Sequence, residues 1–209
     1  MRGGSTTTPT FHVLIATGGR ASLKGMLDSL KPQLRAGDAL TIIFDGEKAK
    51  KRSTYDDSWL GDCACATRII EQVPGLGHYG HPVLNKYIPE LTPKTTFIMF
   101  ADDDDTYIPG AFDALRSKCS DPKTLYISRM KHKADPSRVI PDVGLTEIHE
   151  NHIGKPNGII PFDFAPLCKL ESNYLGDFQY YKNLSDTGIP VVFLDDIIYE
   201  IGANQGNVK

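Results

Sequence analysis

Two β-rich runs, free of Asp, Glu, Lys and Arg and separated by one amphipathic segment, limit most tightly what this chain can fold into. The first, Phe11-His12-Val13-Leu14-Ile15-Ala16, ends at the turn Thr17-Gly18-Gly19. Leu23, Met26, Leu27, Leu30 and Leu34 then recur with the 3.6-residue period of a helix, which Ser22 is placed to cap and Gly37-Asp38 to stop. The second run, Leu40-Thr41-Ile42-Ile43-Phe44, ends at Asp45-Gly46. Strand, short helix and strand at this spacing form a βαβ unit. Such a unit needs a parallel sheet covered on both faces, because runs without polar alternation have no face to give to water.

Further along, Glu47 to Asp62 is charged and irregular and reads as a flexible loop, followed by a third strand over Thr67 to Gln72. Pro82 suits the first turn of a helix reaching Leu91. Thr96-Phe97-Ile98-Met99-Phe100-Ala101 is the clearest strand and leads directly into Asp102-Asp103-Asp104-Asp105. A short helix after Pro109 and a strand over Leu125 to Met130 follow. Lys131 to Pro161, with seven Lys, Arg or His, four Pro and three Gly, reads as a long functional loop or small irregular subdomain. A helix over Asp177 to Leu184 and strands at Val191 to Leu194 and Ile197 to Ile201 close the pattern. The expectation is one α/β domain over 1–209, with a mainly parallel sheet, helices on both faces and a small antiparallel or irregular C-terminal part.

Composition narrows the partners. A net charge of -3 and a pI near 6.1 argue against nucleic acid, which would ask for a basic stripe. No apolar run approaches the roughly 18 residues of a membrane helix. Cys63, Cys65, Cys119 and Cys168 form no disulfide framework and lack zinc-ligand spacing, so they read as free thiols in a cytoplasmic protein. The acidic residues are lopsided, 19 Asp against 7 Glu, which favours caps, turns and hard-cation sites over helix surfaces.

The acidic run is the sharpest chemical feature. Four adjacent carboxylates repel one another unless a cation or hydrogen bonds offset the charge. At the C-terminal end of a buried strand they stand where open α/β sheets bind ligands. An Asp-x-Asp pair there suits Mg²⁺ or Mn²⁺ shared with a nucleoside diphosphate. Thr17-Gly18-Gly19-Arg20 lets backbone approach a phosphate at a helix N-terminus. Asp45 can accept from a ribose or base, or simply make a turn. Asp177, at a helix start, is an N-cap or a general base. The six His show no metal-ligand spacing, and Glu147 to His152 reads as a polar loop. Neither a Walker loop nor a Gly-x-Ser-x-Gly elbow is present.

In this order the features resemble the GT-A class of nucleotide-sugar glycosyltransferases, in particular its family-2-like inverting group. Phe11 to Leu30 is similar to the opening strand, turn and helix. Ile42 to Gly46 is similar to the second strand with its base-binding Asp. Phe97 to Gly110 matches the hydrophobic strand, Asp-x-Asp and following Pro, and Gly176-Asp177-Phe178-Gln179-Tyr180-Tyr181 the acidic motif on a late helix. The resemblance implies a hexosyl- or deoxyhexosyltransferase using a UDP-sugar donor, an oligosaccharide or glycan acceptor and Mn²⁺ or Mg²⁺. Asp104 would bind the metal, and Asp102 the ribose or the metal shell. Asp45 would read the uracil, Thr17, Gly18, Gly19 and Arg20 would line the nucleotide pocket, and Asp177 would deprotonate the acceptor. Asp103 is grouped with the donor-binding residues without a stated contact, and Asp105 has no role. The donor half would be about 11–107 and the acceptor half about 108–201, with Glu47 to Asp62 and Lys131 to Pro161 holding the acceptor.

The sequence departs from the family pattern at three places. Gly176 stands where an acidic residue usually precedes the Asp. The basic residue that often follows on that helix is missing, with Tyr181-Lys182 only nearby. The late His has no counterpart in Ile201-Gly202-Ala203-Asn204. The compact tail also resembles small glycosyltransferase domains of large algal viruses, which would place the protein in a host cytoplasm. A sugar-phosphate nucleotidyltransferase, or a non-catalytic divalent-cation or carbohydrate-binding module, is the alternative, and membership of a longer multidomain polypeptide is compatible with either reading.

Overall fold

Side chains of the first strand point alternately into two cores, one on each face of the sheet. The computed structural model describes residues 8–202, so Ala203-Asn204, where the late His has no counterpart, lie outside the described residues. β1 (Phe11–Thr17) sends Val13 and Ile15 into a cluster with Leu23, Met26 and Leu27 of α1 (Leu23–Leu30). Phe112 and Leu115 of α4 (Ala111–Lys118) belong to the same cluster. Leu14 points the other way, to a cluster containing Val83 and Leu84 of α3 (His81–Tyr87) and Tyr180 and Leu184 of α5 (Gly176–Asp186). That is why the β1 sequence shows no polar alternation: neither face meets water.

The sheet order is β3-β2-β1-β4-β8-β6-β9-β5, with β7 against β6. β2 (Ala39–Asp45) and β4 (Phe97–Ala101) flank β1 in parallel, and β3 (Ala66–Gln72) extends that block. β6 (Leu125–His132) and β9 (Val191–Ile201) form a second parallel ladder. The two blocks are joined by β8 (Gly158–Pro161), antiparallel to both β4 and β6. β5 (Thr106–Tyr107) and β7 (Val139–Ile140) are short antiparallel additions.

Several local expectations change. Ser22 does not cap α1: its backbone is already helical and its side chain makes no capping bond. Glu47 to Asp62 contains α2 (Ala49–Arg52) and a 3₁₀ turn over Asp57–Leu60, stapled by Asp56 accepting from Ser58 N–H at 2.7 Å. Lys131 to Pro161 is not one loop, since β6 runs to His132 and the stretch also supplies β7 and β8. β8 has four residues, too few to show a period. The final two strands are one, β9, with its register against β6 shifted between Phe193 and Ile197. Asp195 and Asp196 sit in that irregularity, paired with Arg129 at 3.1 Å and Lys118 at 2.5 Å, which is why the apolar pattern breaks there. No helix among the described residues is long and apolar enough to cross a membrane.

Candidate active site

β1 and β4 are neighbours whose chains continue to strands on opposite sides of the pair, β1 to β2 on one side and β4 to β5 at the far edge of the other. Their C-terminal ends therefore open a crevice, the place where open α/β sheets bind ligands. The Gly-rich turn after β1 and the acidic run after β4 line this cleft, whose volume is about 1130 Å³. The loop at Gly77 to His81 and the segment at Asn173 to Asp177 form its other walls.

Within the acidic run, exposure alternates. Asp102 and Asp104 are half-buried, whereas Asp103 and Asp105 are buried. Asp103 ties the two loops together: it accepts from the Thr17 hydroxyl and from Arg20 Nη1 at 2.9 Å. The same Arg20 nitrogen stands 2.9 Å from Asp104 Oδ2. Asp105 accepts from Gly202 N–H at 2.7 Å, fastening the residue after β9 to the run. Asp102 meets Lys155 Nζ at 2.5 Å, and its own N–H donates to the Tyr199 hydroxyl at 2.8 Å.

Gly19 has φ 92°, and a Cβ there would lie 2.1 Å from the Ala49 carbonyl oxygen, so only glycine lets the turn close on α2. Asp45 is a loop staple: its two oxygens accept from Leu76 N–H and Gly77 N–H, each at 2.7 Å. Lone pairs remain on both oxygens for a ligand.

Asp177 occupies the first turn of α5, and its side chain, 26% exposed, reaches the same cleft. Oδ2 accepts from Lys155 N–H at 2.9 Å. Oδ1 stands 3.0 Å from His81 Nε2 but, among the described residues, makes no well-aligned hydrogen bond. The other ring nitrogen of His81 lies 2.6 Å from the Glu171 carbonyl. Both nitrogens of this buried imidazole thus face acceptors. Gly176 completes the arrangement: a Cβ would lie 2.1 Å from the Glu171 oxygen and 2.8 Å from two His81 ring atoms. An acidic side chain has no room there, which accounts for the first departure from the family pattern.

The charges follow from these contacts. Burial raises the Asp104 carboxyl, as do Asp103 and Asp102, with Arg20 opposing. Burial, with Asp102 and Asp104 close by, pushes Asp105 up to about 8. At Asp177 burial also works upwards, but His81 and Lys155 outweigh it and hold the carboxyl below its ordinary range. Burial works against the charge on Lys155, and Asp102 and Asp177 reverse that, so its ammonium stays charged.

No family model and no curated protein matches the sequence. Solved structures do. S. aureus TarS 1-349 superposes with a TM-score of 0.69 at 13% identity, over 92% of this chain and 60% of that one. The mannosyltransferase PcManGT from Pyrobaculum calidifontis, in complex with GDP-Man and Mn²⁺, gives 0.68 at 12%, over 96% and 59%. The manganese complex of Rv0371C from Mycobacterium tuberculosis H37Rv gives 0.53 at 16%, over 96% and 95%. The chain has the GT-A fold. At these identities the likeness speaks for the fold alone, and the chain spans about 60% of the length of the first two proteins.

Among the described residues no three His, Cys, Asp or Glu side chains converge as a metal cage. The cleft of this GT-A fold offers instead two half-exposed carboxylates, Asp102 and Asp104, in a patch crowded enough to raise Asp104. Hard oxygen donors in that number fit Mg²⁺ or Mn²⁺, which take one or two carboxylates and complete their shell with phosphates and water. Of the two irregular stretches expected to hold the acceptor, only Arg52 and Lys155 line the cleft. His81 and Lys155 were not legible as site residues. The one hint of His81 is its place before Pro82 at a helix start, and Lys155 sits between Gly154 and Pro156 in a stretch without periodicity.

Proposed function

We propose that the protein is a divalent-metal-dependent glycosyltransferase moving a sugar from a UDP-sugar to a carbohydrate hydroxyl with inversion. One observation carries the reading: two kinds of carboxylate open on one cleft. Asp102 and Asp104 belong to a crowded acidic patch balanced by Arg20 and Lys155, while Asp177, on a separate element, is held ionised by His81 and Lys155. The first set suits a diphosphate with its cation, the second the acceptance of a proton. The complexes of TarS with UDP-GlcNAc and of PcManGT with GDP-Man and Mn²⁺ support a nucleotide-sugar donor in a fold of this kind.

In this mechanism Thr17 to Arg20 line the nucleotide, and Asp45 accepts from the uracil through its free lone pairs. Asp103 clamps the turn to the acidic run, and Asp102 reaches the ribose or joins Asp104 at the metal. A bound Mn²⁺ or Mg²⁺ would neutralise charge on the departing diphosphate. Asp177 takes the proton of the acceptor hydroxyl as that oxygen bonds to the anomeric carbon and the bond to UDP breaks, UDP leaving with the electron pair. The free thiols suit a reducing cytoplasm.

The test is a panel of nucleotide sugars titrated with and without Mn²⁺, followed by slow donor hydrolysis. Release of UDP and free sugar, lost in Asp104→Ala, is expected. Asp177→Asn should keep UDP binding and lose transfer. Pyrophosphate release from a nucleoside triphosphate and a sugar phosphate would instead identify a nucleotidyltransferase, and absence of nucleotide binding would sink both enzymes.

A further inference from the structure

Tyr79 and Tyr174 are among the most exposed large hydrophobic side chains of the described residues, 68% and 80% respectively, and both line the cleft that holds Asp177. Neither is exposed by looseness of its backbone. Tyr79 follows His78 in the left-handed region, at φ 58° and 50°, which bulky side chains rarely adopt. The surrounding structure enforces that conformation. Lys155 Nζ reaches the Tyr79 carbonyl at 3.5 Å, Gly77 N–H is fixed to Asp45, and Gly80 fits against Ala16 where a Cβ would come within 2.8 Å. The ring centroid lies 5.9 Å from that of His81, whose Nε2 is 3.0 Å from Asp177. Tyr174 is carried by a turn in which Asn173 accepts from Leu175 N–H at 2.8 Å and its N–H donates to the Glu171 carbonyl at 2.9 Å. That turn runs directly into α5, three residues before Asp177.

Two exposed aromatic rings lining the same cleft as Asp177 are poised to bind something apolar on its face and polar on its edge. A pyranose has that shape: its C–H face packs on an aromatic ring while its hydroxyls stay hydrated or meet polar tips, as Tyr itself does. We infer that Tyr79 and Tyr174 form the acceptor subsite, stacking against sugar rings of a carbohydrate chain and presenting its hydroxyl to Asp177. This rests on the glycosyltransferase reading and names the acceptor's binding residues within it. It moves the acceptor from the two irregular stretches to the Gly77–His81 loop and the turn before α5. The rival occupant is the donor base, since the Tyr79 loop is fastened to Asp45.

The experiment uses Tyr79→Ala, Tyr174→Ala and the corresponding Phe variants, each first shown to keep the wild-type thermal midpoint. Cellohexaose, maltohexaose, laminarihexaose and chitohexaose are titrated by saturation-transfer NMR and calorimetry, with UDP plus Mn²⁺ titrated separately. At least one oligosaccharide should bind the wild type. Each Ala variant should weaken it by about tenfold or more, the Phe variants by no more than about threefold, with UDP affinity unchanged. Weaker UDP binding in Tyr79→Ala assigns that ring to the base and overturns the inference. So does undiminished saccharide binding in both Ala variants, or no saccharide binding by the wild type. Failure of UDP to bind the wild type refutes the glycosyltransferase reading instead, whatever the saccharides do.

Discussion

Gly176→Ala sets two physical effects against each other. Gly176 is the first residue of α5, and Ala in a helix is worth up to about 1 kcal/mol over Gly, so propensity alone predicts stabilisation. The packing predicts the opposite. A Cβ would lie 2.1 Å from the Glu171 carbonyl oxygen, far inside the 3.0 Å below which real Cβ atoms essentially never come. That carbonyl accepts from Asn173 and Gly176 lies against buried His81, so neither neighbour can simply swing away. Overpacking of this kind costs about 1–3 kcal/mol, and a contact with rigid backbone belongs at the upper end. The net expectation is a loss of about 2 kcal/mol, which for a chain of this size lowers the melting midpoint by about 4–8 °C. Circular dichroism melting measures it. UDP–Mn²⁺ affinity should persist while transfer falls, because the displaced ring is the one beside Asp177. Removing the ring in His81→Ala should make the Gly176→Ala penalty smaller, a coupling a double-mutant cycle reads directly. An unchanged or higher midpoint in Gly176→Ala would refute the steric account.

Two further perturbations test the electrostatics. Lys155→Met leaves Asp102 without its cation. A buried pair broken in this way loses about 3–5 kcal/mol, and because Asp102 is 34% exposed a loss of about 1–3 kcal/mol is expected. Mn²⁺ should then raise the melting midpoint of the variant more than that of the wild type, since it supplies the missing charge, and equal shifts would contradict the placement of Asp102 at the cation. His12 is buried, and burial lowers its pKa to about 4, although the Pro93 backbone works upwards. Between about pH 6.5 and 4 the unfolded chain therefore binds a proton that the folded chain refuses. Stability is full above pH 6.5 and falls on acidification through that window, by on the order of 3 kcal/mol for this one group. Urea midpoints at pH 7, 5 and 4 should fall less steeply in His12→Gln, and parallel curves would show that the buried ring is not responsible.

What the sequence determined by itself is local and repetitive. The β1–α1–β2 unit is legible because apolar spacing reports directly which residues must leave water, and the acidic run at the end of β4 because carboxylates in that number after a buried strand need an explanation. The start of α5 at Asp177 was legible for the same kind of reason. Tertiary structure decided what those residues face. Only the folded chain separates the half-buried Asp102 and Asp104 from the buried Asp103 and Asp105, which serve as a clamp and an anchor. Only it inserts the four residues of β8 between β4 and β6, and so brings Lys155 between Asp102 and Asp177. His81 meets Asp177 across 96 positions of sequence, a contact for which no spacing rule exists. Burial and charge at this site are set by such long-range neighbours, whereas periodicity is set by the residues next along the chain.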